Sequence, residues 1–461
     1  MSVSKSSPVS PLKSAKVPPP DGADVGRRAW LIAALIVTFM LLNYADKAVL
    51  GLAAVPIMDE LDLSNSAYGL IASSFAVLFS LTGFLVGFVS SRISSRVMLF
   101  AMALLWAVAQ VPVLLVASVP ALVAGRVLLG AAEGPATPMS MHALYKWFPE
   151  GRRGLPSALQ ISGAALGTLI AAPVLTALIT GFGWRSAFAA LAVTSVVWAL
   201  VWWRLGHDGP YGQPAAPKRG AAAKQAAAKP AADAERLPYR TLLTSGTMLG
   251  SMVGAFGGSW ANALSQAWLP TFLRTELGMA PGRAATVISV VAGLGFVLLL
   301  AVSPLVDALN RRGVSMRWSS GALQGIAVTV AGLAMAAVPL VGPRAAVLTM
   351  VAVAFSVFAL VFPLHYVTAA AVVPPAQRGA VFGIVAGTGT LPILIAPFVT
   401  GHLLDAASSR GAGYQHTFLL SGAVMLVCGL FALVTIRPER DARRLGLAMG
   451  AQAGASKPVA Q

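Results

Sequence analysis

Charge is scarce in this sequence. Only 11% of its 461 residues are Asp, Glu, Lys or Arg, against about a quarter in a soluble domain. One cysteine, Cys428, excludes an internal disulfide. Five histidines and one cysteine form no cluster with metal-ligand spacing. No glycine-rich phosphate loop and no nucleophile motif is present either, so no metal, no cofactor and no enzymatic activity is expected. No run alternates with period two as a transmembrane barrel strand would. The first 26 residues lack the short apolar stretch of a signal peptide. What is abundant is apolar length: 57% of residues are hydrophobic and the mean hydropathy is +0.77.

Runs of about 20 apolar residues are each long enough to cross a bilayer. They place helices near 29–52, 67–91, 97–118, 120–144, 155–180, 185–205, 243–272, 283–309, 317–340, 344–371, 378–406 and 415–436. The expected fold class is an all-α membrane protein of twelve transmembrane helices. The formal charge of +17 looks like a nucleic-acid footprint until its distribution is read. With twelve spans, 26 of the 33 Lys and Arg fall on the side of both termini. Only Arg185, Arg274, Arg283, Arg344 and Arg410 fall on the other. That is the positive-inside bias of a multi-pass inner (plasma) membrane protein with both termini in the cytoplasm, and no nucleic-acid partner is expected. The partners are instead the lipid bilayer, protons and a small solute, and a monomer is expected.

The chain divides into a polar N-tail (1–27), six helices (28–205), an Ala, Lys and Pro-rich cytoplasmic linker (206–240), six more helices (241–437) and a C-tail (438–461). The halves echo each other. PEGRRG at 149–154 and PPAQRG at 374–379 are offset by 225 residues. Each precedes a Gly-rich helix with a late proline, Gly163, Gly167 and Pro173 against Gly383, Gly387 and Pro397. Six plus six pseudo-symmetric helices with a cytoplasmic linker are the plan of a rocking secondary transporter, whose substrate lies near mid-membrane between the halves.

Four ionisable residues lie well inside the spans: Asp46 and Lys47 in the first helix, Arg126 and Glu133 in the fourth. Burying such groups is costly, so they mark function. Arg126 and Glu133 are seven residues apart, about two turns, and so share a face. Asn43 shares a face with Asp46 and Lys47, at i+3 and i+4, with Tyr44 at the edge of that polar stripe. When all four are ionised, their charges cancel. An entering organic anion adds one negative charge, which a low-dielectric cavity disfavours. Protonating Asp46 or Glu133 removes the excess and frees Lys47 or Arg126 to hold a carboxylate.

The stretches NYADK (43–47), RVLLGAAEG (126–134) and GWRSAF (183–188) resemble the major facilitator superfamily. More narrowly, they resemble its anion:cation symporter branch of hexuronate, galactonate, phthalate and vesicular glutamate transporters. The resemblance implies the major facilitator fold and proton symport of a carboxylate. It places proton coupling on Asp46 and Glu133 and the basic roles on Lys47, where the branch usually has Arg, and Arg126. In the gating signature after the second helix, GFVSSRISSR (87–96) keeps Arg92 and Arg96, but Ser91 replaces the usual acid and Ser94 a glycine. The counterpart in the second half, Asp307 with Arg311 and Arg312, matches the pattern of a structural latch. Ala386 and Thr390 stand where sugar-acid members offer asparagines, and Ala164 where one expects glutamine, which points to a less hydroxylated acid. Gln160, Gln266 and His365 are further candidate pocket residues, with a backbone-bonded core histidine as the alternative for His365. The competing functions are a proton-coupled exporter of drugs or metabolites and, more remotely, a receptor that does not transport.

Overall fold

The structure, a computed structural model, describes residues 26–89, 93–149, 152–211, 237–374 and 377–447. Among these residues the chain is helical throughout and crosses the bundle twelve times. The first half comprises α1 (Arg27–Leu52, continued by Ala54–Leu61), α2 (Asn65–Ser74 and Ala76–Val89), α3 (Ser95–Leu115), α4 (Val119–Glu133 and Ala136–Tyr145), α5 (Gly154–Phe182) and α6 (Trp184–Leu205). The second comprises α7 (Gly246–Ala267 and Leu269–Thr275), α8 (Pro281–Arg311), α9 (Arg317–Ala322 and Leu323–Ala337), α10 (Arg344–Val357 and Val361–Ala371), α11 (Arg378–Ala406) and α12 (Arg410–Thr435). Most of the expected tails and linker lie outside the described residues.

Ten of the twelve are long and apolar enough to cross a membrane by length and composition alone. The other two depart for local reasons. In α4, Pro135 has no backbone N–H to continue the ladder, so the helix breaks just after Glu133. In α7, glycines and the polar residues Asn262, Ser265 and Gln266 dilute the apolar run. Several starts are set by serine. Ser64, Ser94, Ser118, Ser245 and Ser409 each accept a backbone N–H from three residues on, satisfying a donor that lipid cannot.

Packing repeats with a shift of six helices. The pairs α1 with α5, α2 with α4, and α3 with α6 recur as α7 with α11, α8 with α10, and α9 with α12. Between the halves, α2 meets α11 and α5 meets α8, which the same shift interchanges. The 225-residue echo has a structural counterpart. Arg153 donates to the carbonyls of Phe148 and Tyr145, while Arg378 donates to those of Val373 and Ala370. In both halves one arginine staples the turn back onto the end of the preceding helix, through carbonyls five and eight residues earlier.

Every hydrogen bond between the halves, among the described residues, lies at mid-membrane or on the side away from the termini. Tyr68 of α2 donates to the carbonyls of Leu50 on α1 (3.3 Å) and Ala267 on α7 (3.0 Å) and is fully buried. Ser289 of α8 donates to the Leu169 carbonyl at 2.9 Å. The Asp405 carboxylate, at the end of α11, accepts from Asn65 N, Asn65 Nδ2 and Ser66 N at 3.0, 2.8 and 2.7 Å. It thereby caps the first turn of α2, where the helix dipole favours an anion. Closure also depends on Gly51. A Cβ there would sit 1.8 Å from the Gln266 carbonyl oxygen, so only glycine lets α1 touch α7. The bundle is thus sealed on the side away from its termini.

Two substitutions test this seal. Gly51→Ala places a methyl group inside the Gln266 carbonyl and should hold that side open. Asp405→Ala removes three bonds at an exposed rim and should cost about 1 kcal/mol, roughly a fivefold shift toward opening. Spin-label distances between Asp62 and Ser408, on opposite halves, should lengthen fully in the first variant and partially in the second. Unchanged distances in Gly51→Ala would show that the crossing does not control closure.

Candidate functional site

The four intramembrane charges form one cluster around the α1–α4 contact, just beneath the seal. Two glycines create it. A Cβ on Gly130 would lie 1.9 Å from the Phe75 carbonyl oxygen, and one on Gly134 would lie 2.0 Å from that of Phe79, so α2 and α4 run in backbone contact. That contact brings Phe75 over the Arg126 guanidinium, 4.8 Å to the ring centre. It also brings Phe79 to 5.4 Å from Lys47 Nζ, which lies 4.4 Å from the Tyr44 ring centre as well. Such cation–π contacts partly replace lost hydration.

The adjacent Asp46 and Lys47 take separate environments, as a turn of about 100° per residue requires. Lys47 donates to Asn43 Oδ1 at 2.7 Å and lies 3.3 Å from Glu133 Oε2. Its side chain remains 12% exposed while that of Glu133 is fully enclosed. Asp46 points instead to α3, where Gln110 Nε2 donates to its Oδ1 at 2.8 Å. Arg126 forms no side-chain bond with either acid. Its Nη1 donates to the Asp46 backbone carbonyl at 3.4 Å. The set is under-satisfied. Asp46 Oδ2, Arg126 Nε, Asn43 Nδ2 and both Glu133 oxygens lack an aligned hydrogen-bond partner among the described residues. A buried group pays for each missing bond.

The structure thus brings Asn43, Tyr44, Asp46, Lys47, Arg126 and Glu133 together. Gln266 sits one step nearer the seal, half-buried, and donates to Asn262 Oδ1 at 3.1 Å. Gln160 lies elsewhere. It is fully buried between α5 and α4 and donates to Ser140 Oγ at 2.8 Å. His365 is buried against Tyr366 with Nδ1 3.3 Å from its own helix's Val361 carbonyl. Thr390 pairs with Ser80 across the halves at mid-membrane.

Of the gating residues, Arg92 and the neighbouring Ser91 lie outside the described residues. Arg96 donates to the Trp203 carbonyl and stacks on that ring, tying the start of α3 to the end of α6. Asp307, Arg311 and Arg312 are exposed at the end of α8, and none is in an ion pair among the described residues. Asn310, which accepts from Ser319 at 2.6 Å, joins α8 to α9 there.

Gln110 and Asn262 are site residues that the sequence reading passes over. Their only signal is a lone amide in an otherwise apolar or small-residue run, ALLWAVAQVPVLL for the first.

The sequence profile of the Major Facilitator Superfamily matches residues 36–355. The hexuronate transporter of Bacillus subtilis (strain 168) is 25% identical over 410 residues, covering 86% of this chain and 92% of that protein. The probable L-galactonate transporter of Escherichia coli (strain K12) is 25% identical over 452 residues, covering 94% and 96%. Among solved structures, a bacterial homologue of the human lysosomal transporter Spinster superposes with a TM-score of 0.73 at 18% identity, over 90% of this chain and 98% of that one. The twelve-helix, two-half fold anticipated from hydropathy and the repeat is the fold of these proteins. With the profile covering well over half of its length, the chain belongs to the Major Facilitator Superfamily.

Proposed function

We propose that this transporter imports a small organic anion bearing a carboxylate together with a proton, by alternating access. The observation that carries this reading is the Lys47–Glu133 contact of 3.3 Å. Lys47 is the cation of the pair that keeps some exposure, and Glu133 is its present counter-ion. A substrate carboxylate takes Lys47 only as Glu133 lets go, and a released Glu133 anion would stand buried without a counter-charge. Protonation of Glu133 solves both problems at once: it removes the competing charge and leaves Lys47 free. Asp46 provides a second carboxylate in the same cluster, held by Gln110 and in no ion pair among the described residues. The relatives named as hexuronate and L-galactonate transporters support an anionic cargo.

Orientation follows from charge. The side carrying 26 of 33 basic residues is cytoplasmic by the positive-inside rule. The sealed side is then external, and the described conformation is the one from which cargo and proton leave to the cytoplasm. A proton gradient directed inward at the external face loads Glu133 there. The higher pH of the cytoplasm favours release of that proton there.

Proteoliposomes test both parts. Uptake should rise with an inward proton gradient and be competed by carboxylates. Glu133→Gln should lose gradient-driven accumulation while retaining exchange of anion for anion, because the amide mimics the protonated acid. Gradient-independent uptake, or full accumulation by Glu133→Gln, would contradict proton coupling, and uptake driven by an outward gradient would indicate an exporter. Lys47→Ala should weaken substrate binding by about thirtyfold or more, given roughly 2 kcal/mol for a lost buried charge pair. Lys47→Arg should retain most of it, and equal weakening in both variants would assign the lysine a structural role only.

A further inference from the structure

Lys47 accounts for one of the two acids in the cluster. The other, Asp46, is fully buried and in no ion pair among the described residues. A carboxylate in that position is costly unless hydrogen bonds hold it or a proton neutralises it. We infer that Gln110 on α3 is a positioning residue for Asp46: its amide holds the ionised carboxylate, turns it away from Lys47, and so sets the pH at which Asp46 takes up a proton. The inference rests on the proton-symport reading and adds to it the residue that tunes the second acid.

Gln110 is brought to Asp46 by a backbone crossing. A Cβ on Gly125 would lie 2.8 Å from the Ala109 carbonyl oxygen. Helices α3 and α4 therefore touch where Ala109 and Gly125 immediately precede Gln110 and Arg126. Gln110 is itself buried, in a helix whose other polar side chains, Ser95 and Arg96, stand at its start. A buried amide in such a run needs a partner. The bond from Nε2 to Asp46 Oδ1, 2.8 Å long, is the one its side chain makes among the described residues. Turning the amide over would set its oxygen against the carboxylate, so the donor orientation is the one an anion imposes.

The ionisable groups around Asp46 are otherwise engaged. On α1, Lys47 is bound to Asn43 and Glu133 and lies beside Tyr44. On α4, Glu133 faces Lys47, and Arg126 gives Nη1 to the Asp46 backbone carbonyl and not to its carboxylate. His142 and Tyr145 stand at the cytoplasmic end of that helix. Helix α2 brings Tyr68, which bonds two backbone carbonyls at the seal. The sequence of α5 holds no ionisable residue, and neither does the Gly246–Ala267 part of α7. Arg96 of α3 and Arg185 and Arg204 of α6 lie at helix ends.

Gln110 is thus the only side-chain donor to the Asp46 carboxylate among the described residues, and Oδ2 has none. A proton adding at Oδ2 leaves the bond from Gln110 to Oδ1 in place. Asp46 therefore loads and unloads without displacing α3. A donated hydrogen bond favours the charged form. Without Gln110 the anion would have no donor, and Asp46 would keep its proton to higher pH.

Infrared difference spectra of the purified full-length protein, recorded without cargo across a range of pH, report the carbonyl stretch of a protonated carboxylic acid. The band lost in Asp46→Asn belongs to Asp46. In Gln110→Leu its midpoint should lie about one pH unit above that of the wild type, roughly a tenfold gain in proton affinity. The pH of half-maximal uptake in proteoliposomes should move the same way. Gln110→Met, closer in shape, should do the same and serves if the leucine variant does not fold. A purely structural role would lower stability and leave both midpoints in place. Unchanged spectra with an unchanged uptake profile, or a shift to lower pH, overturn the inference and leave proton symport standing. Wild-type uptake indifferent to the proton gradient overturns symport instead, and the infrared titration still decides whether Gln110 holds Asp46.

Discussion

A lysine and a glutamate 3.3 Å apart in an apolar bundle set the terms for the rest of this protein. An ion pair in low dielectric is a poor source of stability, because desolvation consumes most of the Coulomb attraction. Breaking one without compensation is expensive, so neither charge can leave its partner alone. Any event at Lys47 must be matched by an event at Glu133. Much of the local architecture encloses that pair: Asn43 steadies the lysine, two aromatic rings flank it, and the Gly130 and Gly134 contacts bring α2 close enough to place Phe75 over Arg126.

The same economy governs the halves. Inter-half contact depends on places where side chains are absent or very short, Gly51 against α7 and Gly69 against Pro397 above all. Tyr68 and Asp405 then add directional bonds that exist only when these surfaces meet. Backbone contact of this kind is geometrically strict, so the interface is either made or lost. Modest rim energies suffice to bias it. The charge cluster lies directly beneath this closure, with Lys47 about one helical turn from Gly51.

The fold was legible in the sequence because it rests on length and hydropathy. Twelve apolar runs recur as twelve crossings, and the 225-residue echo reappears as the matched Arg153 and Arg378 staples. The membership of the charge cluster was legible for the same reason, since Asp46, Lys47, Arg126 and Glu133 stand out against apolar neighbours. Their pairing was not. Helical geometry separates Asp46 from Lys47, but it cannot say that Lys47 takes Glu133 while Arg126 bonds only a backbone carbonyl. Those choices depend on the close approach of α2 to α4 and on Gln110 arriving from α3. Gln160 illustrates the converse: as an amide in a span it reads as a pocket residue, and rotation about α5 buries it against Ser140 instead.

The proposed coupling of anion to proton is tested most directly by the pH inside proteoliposomes. Vesicles containing a pH-sensitive dye, with no imposed gradient, are given an external carboxylate that the protein carries. The wild-type protein should acidify the lumen in step with anion entry, and Glu133→Gln should admit no proton. Anion entry without acidification in the wild type would contradict the coupled exchange at Lys47 and Glu133.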